Sequence, residues 1–352
     1  MESFRIQQDK TGLEFGLYSL GDHMPDSVSG KGISAQERLD QIISAAQLAE
    51  EAGFDFFSIG ESHQKYFVGQ AHAVILGAIA QATKTIKIGS AATILSTSDP
   101  VRVYENFATI DLLSHGRAEI IAGRASRTGL FDLLGYDTKD YEALFEEKFD
   151  LLLQLNATER LTWQGEYRAS LDNALILPRP AQGKLPIWRA VGGQKPSAIK
   201  AGQQGVPMAL AMLGGHIKHY QYVIEAYREA LVEAGYQPEQ IPLATTGLCY
   251  VAETTQQAMK EFYPYVDEGM RKANGTGWAK EAFAQSSDLT NVMVLGSSQE
   301  VIEKLLYQAE TFGHQRYMAQ IDFGGMPFKQ VMKTIDKLGS IVMPAVKKYT
   351  KK

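Results

Sequence analysis

A single (β/α)8 TIM barrel with insertions, one domain over residues 1–352, is the fold class that three features of the sequence predict. Short apolar runs alternate with longer amphipathic runs along the whole chain. The short runs are continuously apolar, which implies parallel strands covered on both faces by helices. Eight of them are followed by a helical pattern, and eight such units suggest closure into a barrel. A doubly wound open sheet of this length fits the same alternation, because periodicity specifies the units and not their closure.

In order, residues 13–20 read as a first strand and 34–52 as a helix. Ser34 is placed to cap that helix, Glu37 follows three residues later, and Gly53 ends it. Residues 55–60 form the second strand and 72–83 its helix; 86–95 form the third strand. Asp99 and Pro100 open the helix over 100–113 as N-cap and first-turn proline. The fourth strand covers 119–123 and its helix 140–155. Strands at 186–191 and 207–212 flank a helix at 196–204, and a helix at 217–234 precedes the strand at 243–251. Helical patterns over 255–272 and 299–312, a last strand at 317–323 and a closing helix at 328–347 complete the repeat. Two stretches interrupt it. Residues 162–185, with Gly165, Pro178, Pro180 and Gly183, precede a strand, and are expected at the barrel end away from the chemistry, as scaffold or dimer contact. Residues 274–291 form a second excursion to which no role is assigned.

Composition narrows the function classes. A net charge of −5 argues against general affinity for nucleic acid or anionic membrane. The lone Cys249 rules out an intrachain disulfide and a cysteine-rich metal site. Residues 1–10 lack the apolar stretch of a signal peptide, and no apolar run approaches the roughly 20 residues of a membrane helix, so a cytoplasmic globular protein is expected. No glycine-rich fingerprint marks a nicotinamide-binding domain, and one histidine beside one carboxylate does not specify a metal.

Three polar clusters follow strands, where a barrel collects its chemistry. The run from Gly116 to Ser126 crosses the fourth strand and ends in Arg124 and Ser126, with Arg127 and Thr128 beyond; a guanidinium among hydroxyls and amides suits a phosphate. A solvated arginine or an inter-loop ion pair is the alternative. Gly192, Gly193, Gln194 and Ser197 lie in a turn that leaves the fifth strand and opens a helix. Glycines let backbone N–H groups approach a ligand, and the helix N-terminus favours an anion. An ordinary tight turn with Ser197 as a local cap explains the same residues. Glu61, Ser62 and His63 follow the second strand, where a carboxylate and an imidazole can orient a substrate or move protons, or simply cap a surface loop.

These residues resemble, in order and spacing, the luciferase-like flavin monooxygenases. The resemblance is carried by Glu61-Ser62-His63, Ala82-Thr83-Lys84-Thr85-Ile86, Gly89 to Leu95, Asp99-Pro100-Val101-Arg102-Val103, the Gly116–Ser126 run, and the stretch from Pro186 to Met208. It implies a barrel binding FMN at the C-terminal rim of its strands. Arg124 then matches the phosphate-binding arginine, Gly193, Gln194 and Ser197 match a second phosphate loop, and Ala92 falls where relatives use a non-proline cis peptide beneath the flavin.

Two positions depart from the light-emitting enzymes. Ser62 stands in place of the first of two adjacent histidines, and Gly123 in place of a cysteine before the arginine, so aldehyde-dependent light emission is not expected. The resemblance implies a homodimer, with helices over 72–83 and 100–113 at the interface, and a two-component monooxygenase. A separate NAD(P)H-dependent flavin reductase supplies its reduced FMN, and the substrate is a small organic molecule. His63 and Glu61 are the expected catalytic pair, with Tyr136 next in line. A deazaflavin-dependent hydride-transfer enzyme and a non-catalytic flavin-binding protein are the alternatives on the same scaffold.

Overall fold

The computed structural model of the protein describes residues 11–125 and 129–351. In chain order its strands are β1 (Glu14–Ser19), β2 (Phe56–Ile59), β3 (Lys87–Ser90), β4 (Thr93–Ile94), β5 (Ala118–Gly123), β6 (Arg160–Trp163), β7 (Leu171–Leu175), β8 (Ile187–Val191), β9 (Met208–Met212), β10 (Leu243–Ala252), β11 (Val294–Ser297) and β12 (Arg316–Gln320). The helices are α1 (Ala35–Glu51), α2 (His72–Ala82), α3 (Pro100–Leu113), α4 (Gly129–Leu134), α5 (Tyr141–Ala157), α6 (Lys195–Gln203), α7 (Ile217–Glu233), α8 (Thr255–Asn274), α9 (Lys280–Ala284), α10 (Ser298–Phe312), α11 (Phe328–Lys337) and α12 (Met343–Thr350).

Parallel pairing runs β1–β2–β3–β5–β8–β9–β10–β12 and returns from β12 to β1, so the sheet closes on itself as an eight-stranded barrel. All eight expected strands are barrel strands, and the open-sheet alternative is set aside by the β12–β1 pairing. The expected caps form: the Ser34 side chain accepts from Glu37 N–H, and Asp99 accepts from the amides of Val101 and Arg102 ahead of α3.

Four details differ from the sequence reading. The third strand is split into β3 and β4 by a cis peptide between Ala91 and Ala92. Strand β10 has ten residues, enough to pair β9 and β12 along its first half and the short extra strand β11 along its last four residues. The closing helix is broken: α11 passes through a π-turn at Leu338–Val342 before α12, whose first turn holds Pro344. A proline has no N–H to continue the helical ladder, so it sits where a first turn needs none. The excursion over 162–185 contains the end of an antiparallel hairpin, β6–β7.

Apolar residues fill the space between barrel and helices, and a smaller set, including Tyr18, Phe56, Ile121, Trp188 and Met318, fills the barrel itself. Beneath that set, at the N-terminal end of the strands, lies an ionic layer. The fully buried guanidinium of Arg316 bonds both oxygens of Glu119 (2.7 and 3.0 Å) and one of Glu14 (2.9 Å), lies over the rings of Phe56 and Trp188, and Lys87 pairs with Glu14 from the rim (2.7 Å). Burial alone pushes the Glu14 carboxyl up and the Arg316 guanidinium down. The partners overrule it, so Glu14 lies below and Arg316 above its ordinary value. Every charge in this layer has a partner, as a buried charge must, and it closes the barrel at this end.

Candidate functional site

The other end of the barrel is open. Strands β5 and β8 are neighbours, with Ala122 opposite Arg189, so the residues that follow them emerge side by side. Arg124 therefore stands at the same rim as the Gly192–Ser197 turn. Its guanidinium is taken up by Glu142 on the first turn of α5 and lies 5.6 and 5.8 Å from the rings of Tyr141 and Phe145. Glu142 is 60 % exposed against 18 % for the arginine, so the acid is the solvent-facing partner of the pair. Ser126, with Arg127 and Thr128, lies outside the described residues.

The turn after β8 is built as the sequence suggests. Gly193 has φ +73°, a left-handed conformation that glycine adopts without strain. Gly192 and Gln194 are exposed. Helix α6 begins after Gln194 with no side-chain cap, so its first amides are unclaimed by a side chain, and the Ser197 hydroxyl is buried without a hydrogen-bond partner among the described residues. Ser197 is thus not the local cap that the alternative reading required. A buried unpaired hydroxyl costs about 1–3 kcal/mol. Open amides, a flexible glycine and an unpaired donor at the positive end of a helix are the donor set of an anion site.

Between these clusters the barrel mouth is floored by small residues. A Cβ on Gly123 would come within 3.1 Å of the Cβ atoms of both Ala92 and Ala190, which shows that β4, β5 and β8 converge there and leave no room for a larger side chain. Ala91, Ala92 and Ala190 are half-buried, and Ala211, the fourth of the five residues of β9, is exposed. A flat group can rest on such a floor. The expected cis peptide ends at Ala92.

Opposite, after β2, the Nε2 of His63 lies 2.7 Å from Oε1 of Glu61. The second oxygen of Glu61 accepts the amide of Ile94 (2.8 Å), and the Glu61 amide donates to the carbonyl of Ala92 (3.0 Å), tying the pair to β4. His63, Glu61, Ser62 and Gln64 line a cavity of about 50 Å³ with Leu20, Ile94 and Leu130. A carboxylate that holds one ring nitrogen fixes the tautomer and leaves the other nitrogen to act.

Sequence reasoning missed the group behind this pair. His72, on the first turn of α2, is buried; its Nδ1 lies 3.7 Å from the second oxygen of Glu61 and its Nε2 2.7 Å from the hydroxyl of Thr93. Burial lowers the His72 pKa, the Glu61 charge opposes that, and His63 adds to it; the net is downward. The available signal was a single imidazole opening an otherwise apolar helix.

The β6–β7 hairpin also reaches the rim. Both oxygens of Glu147 on α5 accept the amides of its tip, at Glu166, Tyr167 and Arg168 (2.6–3.1 Å). Arg168 then pairs with Asp99 at the start of α3, and Tyr167 packs beside Ile94, Ala125 and Phe131. The hairpin is long enough to fold back along α5, which corrects its placement at the far end of the barrel. Tyr136 is held in the same region by the buried Lys148, whose ammonium lies 3.2 Å from its hydroxyl; burial lowers that lysine to about 8, against the pull of Asp99 and Glu147.

Comparison with known proteins adds the following. A family model described as luciferase-like monooxygenase matches residues 13–316. The N-acetyl-S-alkylcysteine monooxygenase of Bacillus subtilis (strain 168) is 26 % identical over 309 residues, covering 82 % of this chain and 88 % of that protein. Among solved structures, the oxygenating constituent of 3,6-diketocamphane monooxygenase from Pseudomonas putida, in complex with FMN, superposes with a TM-score of 0.76 at 20 % identity, over 95 % of this chain and 98 % of that one. The coenzyme F420-dependent tetrahydromethanopterin reductase of Methanopyrus kandleri gives 0.73 at 18 % identity, over 95 % and 99 %. At these identities the structures show a shared fold.

Proposed function

Because the chain belongs to the luciferase-like monooxygenase family and is a flavin-dependent oxidoreductase of that kind, we propose that it is the FMN-dependent oxygenating component of a two-component system. In this reading a separate NAD(P)H-dependent flavin reductase delivers reduced FMN. One atom of dioxygen goes to a small organic substrate and the other leaves as water. The observation that carries the reading is the unpaired Ser197 hydroxyl at the uncapped start of α6, beside a floor of small residues. Arg124, Ser126, Gly192, Gly193, Gln194 and Ser197 are the residues proposed to hold the phosphate, with Ala92 under the ring. Bound reduced flavin supplies the two electrons. His63, oriented by Glu61 at Nε2, accepts a proton at its free Nδ1 and returns it, beside the cavity where Leu20, Ile94 and Leu130 exclude water. We further propose one domain over 1–352, a homodimer, and a cytoplasmic location; among the described residues no helix is long and apolar enough to cross a membrane.

A deazaflavin is the second reading, favoured by the likeness to the F420-dependent reductase. Absorbance and fluorescence titrations with FMN, reduced FMN and a deazaflavin distinguish the two. Tight binding of reduced FMN, and product formation with a flavin reductase and a substrate panel, are the expected results. Binding of the deazaflavin alone overturns the first reading.

A further inference from the structure

The Glu61–His63 pair does not stand alone: His72 lies buried behind it. Helix α2 opens on His72 and carries no other acid or base. Among the described residues the charged or titratable groups that act on His72 are Glu61 and His63; from α3 the neighbour is the ring of Phe107, at 6.1 Å. The two ring nitrogens have separate tasks. Nε2 is 2.7 Å from the Thr93 hydroxyl, and Nδ1 approaches the carboxylate of Glu61 at 3.7 Å, a distance for electrostatic orientation rather than a hydrogen bond. A carboxylate is best faced by a donor, so a neutral His72 carries its proton on Nδ1, and the Thr93 hydroxyl donates to Nε2. Thr93 belongs to β4, immediately after the floor of the mouth, and Glu61 is tied to the same segment through Ala92 and Ile94.

We propose that His72 is a positioning residue, braced by Thr93, that holds the carboxylate of Glu61 in the one orientation in which its other oxygen grips His63 at Nε2 and leaves Nδ1 toward the cavity. The proposal rests on the reading of His63 as the proton-handling group and extends it to what sets that group's tautomer. With the brace in place, Glu61 is held by the Ile94 amide and faced by the His72 ring, and His63 has one way to bind it. Without the ring the second oxygen keeps only the Ile94 amide, so the carboxylate pivots on that bond, its grip on Nε2 loosens, and the His63 ring turns over in part to present Nδ1–H instead.

The test is nitrogen-15 NMR of the seven histidines in the flavin-free protein at neutral pH, with His63→Asn used to assign the His63 ring. It needs neither substrate nor cofactor, so it fails or succeeds independently of the proposed reaction. In the unaltered protein His63 is expected as the Nε2–H tautomer and His72 as Nδ1–H. His72→Phe, which keeps ring volume and removes both nitrogens, is expected to turn His63 into a mixture of tautomers. His72→Gln, which can still face both Thr93 and Glu61, is expected to restore the single tautomer. Thr93→Val cuts the brace from its other side, keeps shape, and is expected to mix the tautomers of both rings; it decides the matter if His72→Phe does not fold. A His63 spectrum unchanged by His72→Phe or by Thr93→Val, or a His63 already on Nδ1–H in the unaltered protein, overturns the proposal.

Discussion

At the scale of single residues, Arg124 and His63 divide the proposed site into a binding half and a chemical half. A charge-assisted contact is worth about 1.5–3 kcal/mol. Arg124→Ala is therefore expected to weaken FMN binding by roughly 10- to 150-fold at about 1.4 kcal/mol per factor of ten. Riboflavin, which lacks the phosphate, should bind the variant and the parent alike; equal losses for both ligands would sink the assignment. The ion pair with Glu142 means that a phosphate must displace an exposed carboxylate, so part of the arginine's attraction is already spoken for. His63→Asn keeps polarity and removes the imidazole. Near-normal FMN affinity is expected, with turnover lower by about 10²–10⁴-fold, the usual loss of a general acid or base; unchanged turnover across pH leaves His63 a structural residue. The residues of this site that sit directly after strands were legible in the sequence, because strand ends are where a barrel gathers function. His72 was not. It lies on a helix, eleven residues after Glu61, and only the closed fold brings it to the carboxylate.

Elements show where sequence periodicity carries information and where it stops. The eight barrel strands are buried on both faces and read as apolar runs, so each was found. Strands β6 and β7 are mostly exposed; β6 alternates over only four residues and β7 shows neither a continuous apolar run nor a clean alternation, so the hairpin they form was read as irregular chain. Glu147 holds its course to the rim through three backbone amides of the tip, alongside the Arg168–Asp99 pair and the packing of Tyr167. Glu147→Ala removes those acceptors and is expected to cost about 2–3 kcal/mol, the range of hydrogen bonds to a charged group. Hydrogen exchange at Glu166, Tyr167 and Arg168 should accelerate well beyond that of the rest of the hairpin. Exchange unchanged at the tip would show that Tyr167 and Arg168 hold it without the cap. Strand β11 escaped notice for a different reason: four residues are too few to establish a period, and its existence depends on the unusual length of β10.

For the molecule as a whole, assembly and acid stability are the measurable properties. Val74 on α2 is 73 % exposed, and Leu112 and Leu113 at the end of α3 are each 43 % exposed, apolar surface on the two helices expected at a dimer interface. Light scattering at micromolar concentration should report a dimer, and Val74→Glu should shift it toward monomer; a monomeric parent removes the idea. The acid limb of stability follows from His314. Burial and the nearby Arg228 hold its pKa at about 3, below the 6.5 of an unfolded histidine. Above pH 6.5 both states are neutral at this position and its contribution is complete. As the pH falls below 6.5 the unfolded chain takes up a proton that the folded one refuses, so stability declines, a decline that ends only near pH 3. His314→Phe should narrow the difference in urea stability between pH 7 and pH 5 by up to about 2 kcal/mol. An unaltered difference would place the acid sensitivity elsewhere, and the buried His72 acts in the same direction.

The ionic layer at the closed end of the barrel also sets a condition on biosynthesis. Glu14 and Arg316, which meet in the finished protein, are 302 residues apart in the chain. At translation rates of about 5–20 residues per second, roughly 15–60 seconds separate their appearance. Throughout that interval the nascent chain holds an unclosed sheet with two unpaired edges, and the carboxylates of Glu14 and Glu119 wait for the one cation that neutralises both. Burying both before Arg316 exists would leave Glu119 without its cation and Glu14 with Lys87 alone, which is costly. Closure of the barrel therefore waits on the synthesis of β12, the strand that joins its two ends.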